Sequence, residues 1–324
     1  MSVLKPWVRL AVIIAAISAA CLWLLSQPSG RVTSEAVSAI QANIANGQQV
    51  FTVAGCGSCH VAPAAQPNGD VTQHNLAERP LLSGGQHFIT AFGTFVAPNI
   101  SPDKVAGIGR WSDADFATAL LKGLSPDNQH YYPVFPYTAY TRMTLQDVID
   151  LKAFLDTLPA SSHTNTTHEL HFPWNIRRGI GLWKRRYLTN NPALRLVNPT
   201  VQQQRGQYLV EALGHCGECH SPRNRAGATE TDQWLAGSAD INGQGGKQAL
   251  SAPNITSHQA GLATWSAEDI ADYLSTGFTP DYDVAGGLMS EVINNTRQLS
   301  KQDRLAMGEY LKVIPHRNGD GATD

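Results

Sequence analysis

The chain is 324 residues long, enough for about two domains at roughly 150 residues each. A net charge of −2, from 24 basic and 26 acidic side chains, excludes a general nucleic-acid binder, and 42% hydrophobic residues exclude a disordered chain. Five cysteines are too few for a disulfide-built scaffold of this length.

The first predicted element is an apolar run from Leu10 to Leu25, broken only by Ser18. Lys5 and Arg9 precede it, and no acid appears before Glu35. Residues 1–30 are therefore assigned to a secretory signal or membrane anchor, with the N-terminus on the cytoplasmic side and the rest of the chain outside. The run ends in Ser26-Gln27-Pro28-Ser29-Gly30, which lacks a clean small-residue cleavage site and favours a retained anchor over a cleaved leader. Cys21, inside the run, is read as inert.

Beyond Ser38 the chain repeats itself at an offset of 154 to 160 residues. NGQQVFTVAGCGSCH (Asn46 to His60) returns as RGQYLVEALGHCGECH (Arg205 to His220), APNIS (Ala97 to Ser101) as APNIT (Ala252 to Thr256), and WSDADF (Trp111 to Phe116) as WSAEDI (Trp265 to Ile270). DVIDLKAFLDTLP (Asp147 to Pro159) returns as DRLAMGEYLKVIP (Asp303 to Pro315). A period this long signals a duplicated domain, not a solenoid. Each copy reads as helical. A helix leads into each Cys-x-x-Cys-His, with Gly47 and Phe51, or Gly206 and Leu209, on its inner face. Ser112-x-x-Asp115, Thr144-x-x-Asp147, Ser266-x-x-Asp269 and Ser300-x-x-Asp303 have the form of N-terminal caps. Stretches rich in Gly, Pro, Asn and Ser are loops, and no run of alternating strands is present. The predicted fold is all-α: two tandem units, 38–160 and 197–317, a linker over 161–196 and a tail over 318–324.

The linker segment HFPWNIRRGIGLWKRRYL is dense in aromatic and basic side chains. One reading is a basic surface facing a membrane or an acidic partner. The preferred one wedges the tryptophans between the units while the arginines are solvated or pair with cofactor carboxylates, because aromatics at this density usually bury.

Four of the five cysteines lie in Cys56-Gly-Ser-Cys59-His60 and Cys216-Gly-Glu-Cys219-His220. This pattern reads as c-type haem attachment. Two thiols one helical turn apart both reach the porphyrin vinyl carbons, and the adjacent histidine turns a ring nitrogen to the iron. A zinc ribbon would space its cysteine pairs by tens of residues, and a thioredoxin-like motif would need a βαβ context. The cofactor expected is two covalently bound haem c groups, on Cys56 and Cys59 and on Cys216 and Cys219, with His60 and His220 as iron ligands. Met289, in a loop ahead of the last helix, and Met143 are the expected sixth ligands, the latter with His130, His74, His87 or an open iron as alternatives. Met307 is expected in the core. The carbonyls of Pro98 and Pro253 are expected to accept the Nδ1 hydrogens of the two histidines.

These motifs, with FPYTAYTRMT, FPWNIRRGIGLWKRRYL and GGLMSEVI, resemble two-domain, di-haem c-type cytochromes. The chain is similar to the cytochrome subunits of membrane-bound quinoprotein alcohol dehydrogenases and related periplasmic dehydrogenases. The resemblance runs from about residue 38 to 315 and implies two tandem cytochrome c domains, each wrapping one haem. It implies electron transfer from a periplasmic dehydrogenase catalytic subunit to a quinone, a small cytochrome or an oxidase of the respiratory chain. It places the protein on the periplasmic side of a bacterial inner membrane, held by its N-terminal segment or released by cleavage. There are two departures. The alcohol dehydrogenase subunits usually carry three haems, and their first domain often has methionine where Phe135 stands. An open iron beside Phe135 would allow a peroxidase-like enzyme. A thiosulfate dehydrogenase-like enzyme would need a cysteine ligand, and the only spare cysteine is Cys21.

Overall fold

The computed structural model describes residues 5–63, 80–244 and 249–317. Helix α1 (Pro6–Leu25) opens with proline in its first turn, where the missing amide costs nothing. Arg9 and Ser18 interrupt an otherwise apolar helix, whose most apolar window has a mean hydropathy of 2.4 and none of its residues buried in the protein. Twenty residues at about 1.5 Å each give about 30 Å, the thickness of a bilayer's hydrocarbon core.

The chain then packs down. Arg31 pairs with Asp115 at 2.7 Å, and the short α2 (Ser34–Val37) buries Val37. Helix α3 (Ile44–Val53) starts where the Asn43 side chain accepts the amide of Asn46, and it buries Gly47, Val50, Phe51 and Val53. It leads into α4 (Cys56–His60). The four expected N-caps form as the sequence reads. Ser112 and Asp115 make a reciprocal capping box at the start of α5 (Asp113–Lys122), and Thr144 caps α7 (Leu145–Leu155). Between them lies the single turn α6 (Tyr137–Tyr140).

The second half repeats these elements. Helix α9 (Val201–Tyr208) runs into a π-helical turn, Leu209–Leu213, and then α10 (Gly217–His220). Ser266 and Asp269 box the start of α11 (Ala267–Thr276), helix α12 (Leu288–Thr296) follows, and Ser300 caps α13 (Lys301–Val313). Both halves make the same helix crossing. A Cβ on Gly47 would stand 2.0 Å from the Asp150 carbonyl oxygen in α7, and one on Gly206 would stand 1.8 Å from that of Ala306 in α13. Only glycine lets the backbones approach so closely. Flanking pairs align each crossing. Asn46 donates to Asp147 and Asp150 at 2.7 Å, and Arg205 holds Asp303 with two bonds at 2.8 and 3.1 Å. One contiguous core joins the halves, from Phe51, Leu151 and Phe154 to Leu209, Met307 and Tyr310.

The all-α expectation needs one correction. Strands β1 (His87–Thr90) and β2 (Gly93–Val96) form an antiparallel hairpin, and β3 (Glu169–Leu170) from the linker adds to β2. Gly93, at φ +118°, sits where a Cβ would strike the Glu169 carbonyl. Strands of two to four residues are too short to give an alternating pattern. The protein is otherwise mostly helical.

The linker departs from the wedge reading. Trp183, in α8 (Gly179–Tyr187), does bridge to the second half, donating to the Ala226 carbonyl at 2.9 Å. Phe172, however, is 79% exposed and Trp174 40%. The guanidinium of Arg178 is not free in solvent but packs on the end of α1.

Candidate haem-attachment site

Each Cys-x-x-Cys-His begins at a left-handed residue. Gly55, at φ +61°, turns the chain into α4, and His215, at φ +40°, does so before Cys216. In the second copy the π-helical turn delivers the chain there, with Gly214 N bonded back to Leu209 O at 2.7 Å. Gly57 and Gly217 are buried, and a Cβ on Gly217 would lie 2.0 Å from the Trp234 ring.

His60 donates through Nδ1 to Pro98 O at 2.8 Å, and His220 through Nδ1 to Pro253 O, also at 2.8 Å. A carbonyl can only accept, so each Nδ1 carries the hydrogen and each Nε2 keeps its lone pair. Burial pushes both imidazoles below their ordinary pKa, and the proline carbonyls oppose this only in part. Both rings therefore present a neutral basic nitrogen. Cys56, Cys59, Cys216 and Cys219 form no disulfide, and each is half-buried. Burial pushes Cys56 and Cys216 up to about 12. Cys59 is pushed up to about 11, by burial first and by the neighbouring Cys219 second. Among the described residues no group of three or more His, Cys, Asp and Glu is placed to hold a metal ion. The donor set fits a covalently attached haem: paired thiols, each pair followed by an oriented imidazole with a free Nε2.

The two motifs lock together across the halves. Asn295 of α12 donates to Ser58 Oγ at 3.3 Å, and Thr138 of α6 donates to Glu218 Oε1 at 2.6 Å. His215 Nε2 and Tyr140 Oη both donate to the Ala54 carbonyl at 3.2 Å, with their rings 5.8 Å apart. Burial opposes the charge on Glu218, but Arg223 at 2.5 Å and Thr138 more than offset this, so its pKa lies below the ordinary carboxylate value. Behind the second motif, Glu211 is 1% exposed. It accepts from Ala193 N at 2.7 Å, Leu194 N, Gln207 Nε2 and Tyr310 Oη, and faces Arg142 at 3.7 Å. Sequence reasoning missed Tyr140, His215, Glu218, Asn295, Arg142 and Glu211. The only hint was an acid at one variable position of the second motif and another within an apolar run.

The methionines differ. Met143 is buried just after α6, its amide bonded to Tyr140 O at 2.8 Å, and Tyr140 in turn donates to the Ala54 carbonyl just ahead of the first motif. Met289 is half-exposed and lies in the first turn of α12, not in a loop, preceded by the open Gly286 and Gly287. Met307 is core, at 2% exposure. Phe135 packs edge-on against Tyr140 and Tyr131. Of the alternative histidines, His130 is engaged with the Ser26 carbonyl at 3.0 Å, His87 is exposed at the start of β1, and His74 lies outside the described residues.

Residues 44–159 match the cytochrome c family. A diheme cytochrome c-type protein of Cereibacter sphaeroides is 47% identical over 92% of this chain and 94% of its own length. The fructose dehydrogenase cytochrome subunit of Gluconobacter japonicus is 33% identical over 88% of this chain. The cytochrome c subunit of the quinone alcohol dehydrogenase of Gluconobacter oxydans is 30% identical over 92%. The chain spans only 55% and 59% of those two proteins. Helical frame, paired motifs and these relatives agree: the chain belongs to the di-haem c-type cytochromes.

Proposed function

We propose that the chain carries electrons between a periplasmic dehydrogenase catalytic subunit and a respiratory acceptor: a quinone, a small cytochrome or an oxidase. In this reading 38–160 and 197–317 are two tandem cytochrome c domains, joined by 161–196 and preceded by the membrane segment 1–30. The tail 318–324 lies outside the described residues. The observation that carries the proposal is the interlock of the two Cys-x-x-Cys-His motifs through Ser58, Thr138, Tyr140, His215, Glu218 and Asn295. Contact of this kind suits passage of single electrons from one centre to the other.

Two haem c groups would be held by thioethers to Cys56 and Cys59 and to Cys216 and Cys219, and they supply reversible one-electron chemistry. His60 and His220 would ligate through Nε2, held in register by the Pro98 and Pro253 carbonyls, which also raise ring basicity. Met289 and Met143 would supply the sixth ligands, closing both irons to substrates. The chain's own work is to orient these groups, exclude water and hold the two sites at fixed separation. Relatives named as cytochrome subunits of fructose and alcohol dehydrogenases support a dehydrogenase partner.

The test is the proton NMR spectrum of the fully reduced holoprotein together with a haem count. Two covalent haems and two strongly upfield methionine methyl signals are expected, one lost in Met143→Ala and the other in Met289→Ala. A single haem overturns the di-haem carrier. One methyl signal, unmoved by Met143→Ala, overturns Met143 as ligand and opens the first centre to assay with peroxide.

A further inference from the structure

The C-terminal end of α1 is gripped by the linker. The last carbonyls of any helix lack intrahelical partners and must find them elsewhere. Here the soluble part supplies the partners. Arg178 Nη2 donates to Trp23 O at 2.9 Å, and its Nε donates to Ser26 Oγ at 3.0 Å. Arg185 Nε donates to Leu25 O, and His130 Nε2 to Ser26 O at 3.0 Å. The Arg178 guanidinium also lies 3.9 Å above the Trp23 ring. Cations at this end complement the helix dipole. Ser26 is 4% exposed, and a Cβ on Gly181 would fall 2.3 Å from its carbonyl oxygen, so α8 is shaped to admit this residue. A leader removed after translocation has no use for a fitted seat among residues far along the chain.

Exposed apolar side chains adjoin this seat. Ile176, two residues before Arg178, is 52% exposed, next to Trp174 at 40% and Phe172 at 79%. Arg185 and Arg186 are exposed on α8. Aromatic and basic residues at the end of a spanning helix are the composition of a membrane interface.

We propose that α1 is retained in the mature protein and that the segment 172–186 forms a collar seated in the bilayer interface, with the exposed Arg186 facing anionic lipid phosphates. The inference rests on reading α1 as a membrane segment and is independent of the electron-carrier reading.

Two measurements on the full-length holoprotein test it. Intact-mass analysis of protein isolated from membranes is expected to include residues 6–25, and a chain starting after Ser26 overturns retention. For the collar, Cys21→Ser protein carrying Ile176→Cys is placed in lipid nanodiscs and treated with a water-confined maleimide. Val105→Cys and Val197→Cys, at positions 86% and 87% exposed, are the references. The thiol introduced by Ile176→Cys is expected to react at least ~10-fold more slowly than either reference, since the reagent is confined to water. The protection should deepen when phosphatidylglycerol is added to phosphatidylcholine, and Arg186→Glu should remove that lipid dependence. Equal labelling rates overturn the collar. A full-length protein that stays in the soluble fraction overturns the membrane reading of α1 itself. The haem spectrum of the same samples reports separately on the electron-carrier reading.

Discussion

Glu211 is where a single atom change tests most of the packing argument. Its carboxylate is 1% exposed and sits in the π-helical turn that feeds the second motif. Oε2 accepts from Ala193 N at 2.7 Å, while Oε1 accepts from Leu194 N at 3.3 Å, Gln207 Nε2 at 2.9 Å and Tyr310 Oη. Glutamine has the same shape but only one acceptor oxygen. Whichever way its amide is turned, an NH2 group meets at least one buried N–H donor head-on. That leaves a donor unsatisfied at about 1–3 kcal/mol. Arg142 also loses its counter-charge, although it keeps the Asn191 and Thr138 carbonyls. Breaking one side of a buried ion pair costs about 3–5 kcal/mol, which serves as the total here. Over 324 residues, at about 2.1 cal/mol/K of unfolding entropy per residue, that is about 4–7 °C in the unfolding midpoint. Thermal unfolding of Glu211→Gln holoprotein, followed by far-ultraviolet circular dichroism and by the Soret band, measures it. The second-half transition should fall, and the Soret change should move with it, because the turn runs straight into His215 and Cys216. A midpoint shift under about 2 °C would refute the reasoning.

Gly206→Ala forces a methyl group to 1.8 Å from the Ala306 carbonyl, so the two helices must part. The cost should be about 3 kcal/mol or more by denaturant titration, with Gly47→Ala behaving alike in the first half. Thr138→Val with Glu218→Gln removes the bond between the second motif and α6. Electron exchange between the centres should slow in flash-photolysis kinetics while both absorption spectra stay in place. Lys184 is buried, with its Nζ against the Lys122 and Gly123 carbonyls, and burial lowers its pKa to about 7. The unfolded chain, with an ordinary lysine value of about 10.4, binds more protons between those two pKa values, so stability should rise with pH from about 7 to 10. Lys184→Met should flatten that part of the stability profile, and an unchanged profile would contradict the assignment.

Much was legible in the residues alone because it depends on short-range chemistry. A Cys-x-x-Cys-His needs no tertiary context to be read, and two copies at one offset declare a duplication. The N-caps at Ser112, Thr144, Ser266 and Ser300 are local hydrogen bonds, so their residue types announce them. A twenty-residue apolar helix declares itself by composition. What the sequence hid depends on distant segments meeting. The hairpin at His87–Val96 is too short for a periodic signal and is completed by a strand more than 70 residues away. Met289 sits in a helix because α12 packs on its neighbours, not because GGLM favours one. The contact between the two motifs arises only when α6 and α12 converge on it. The linker's aromatics look like core by composition, yet Phe172 and Trp174 stay exposed on the folded chain while Arg178 and Arg185 reach back to the end of α1. Residue types and spacing determine which groups can bind a cofactor. Only the folded chain, by bringing residues 26 and 181 or 58 and 295 into contact, decides what surrounds those groups.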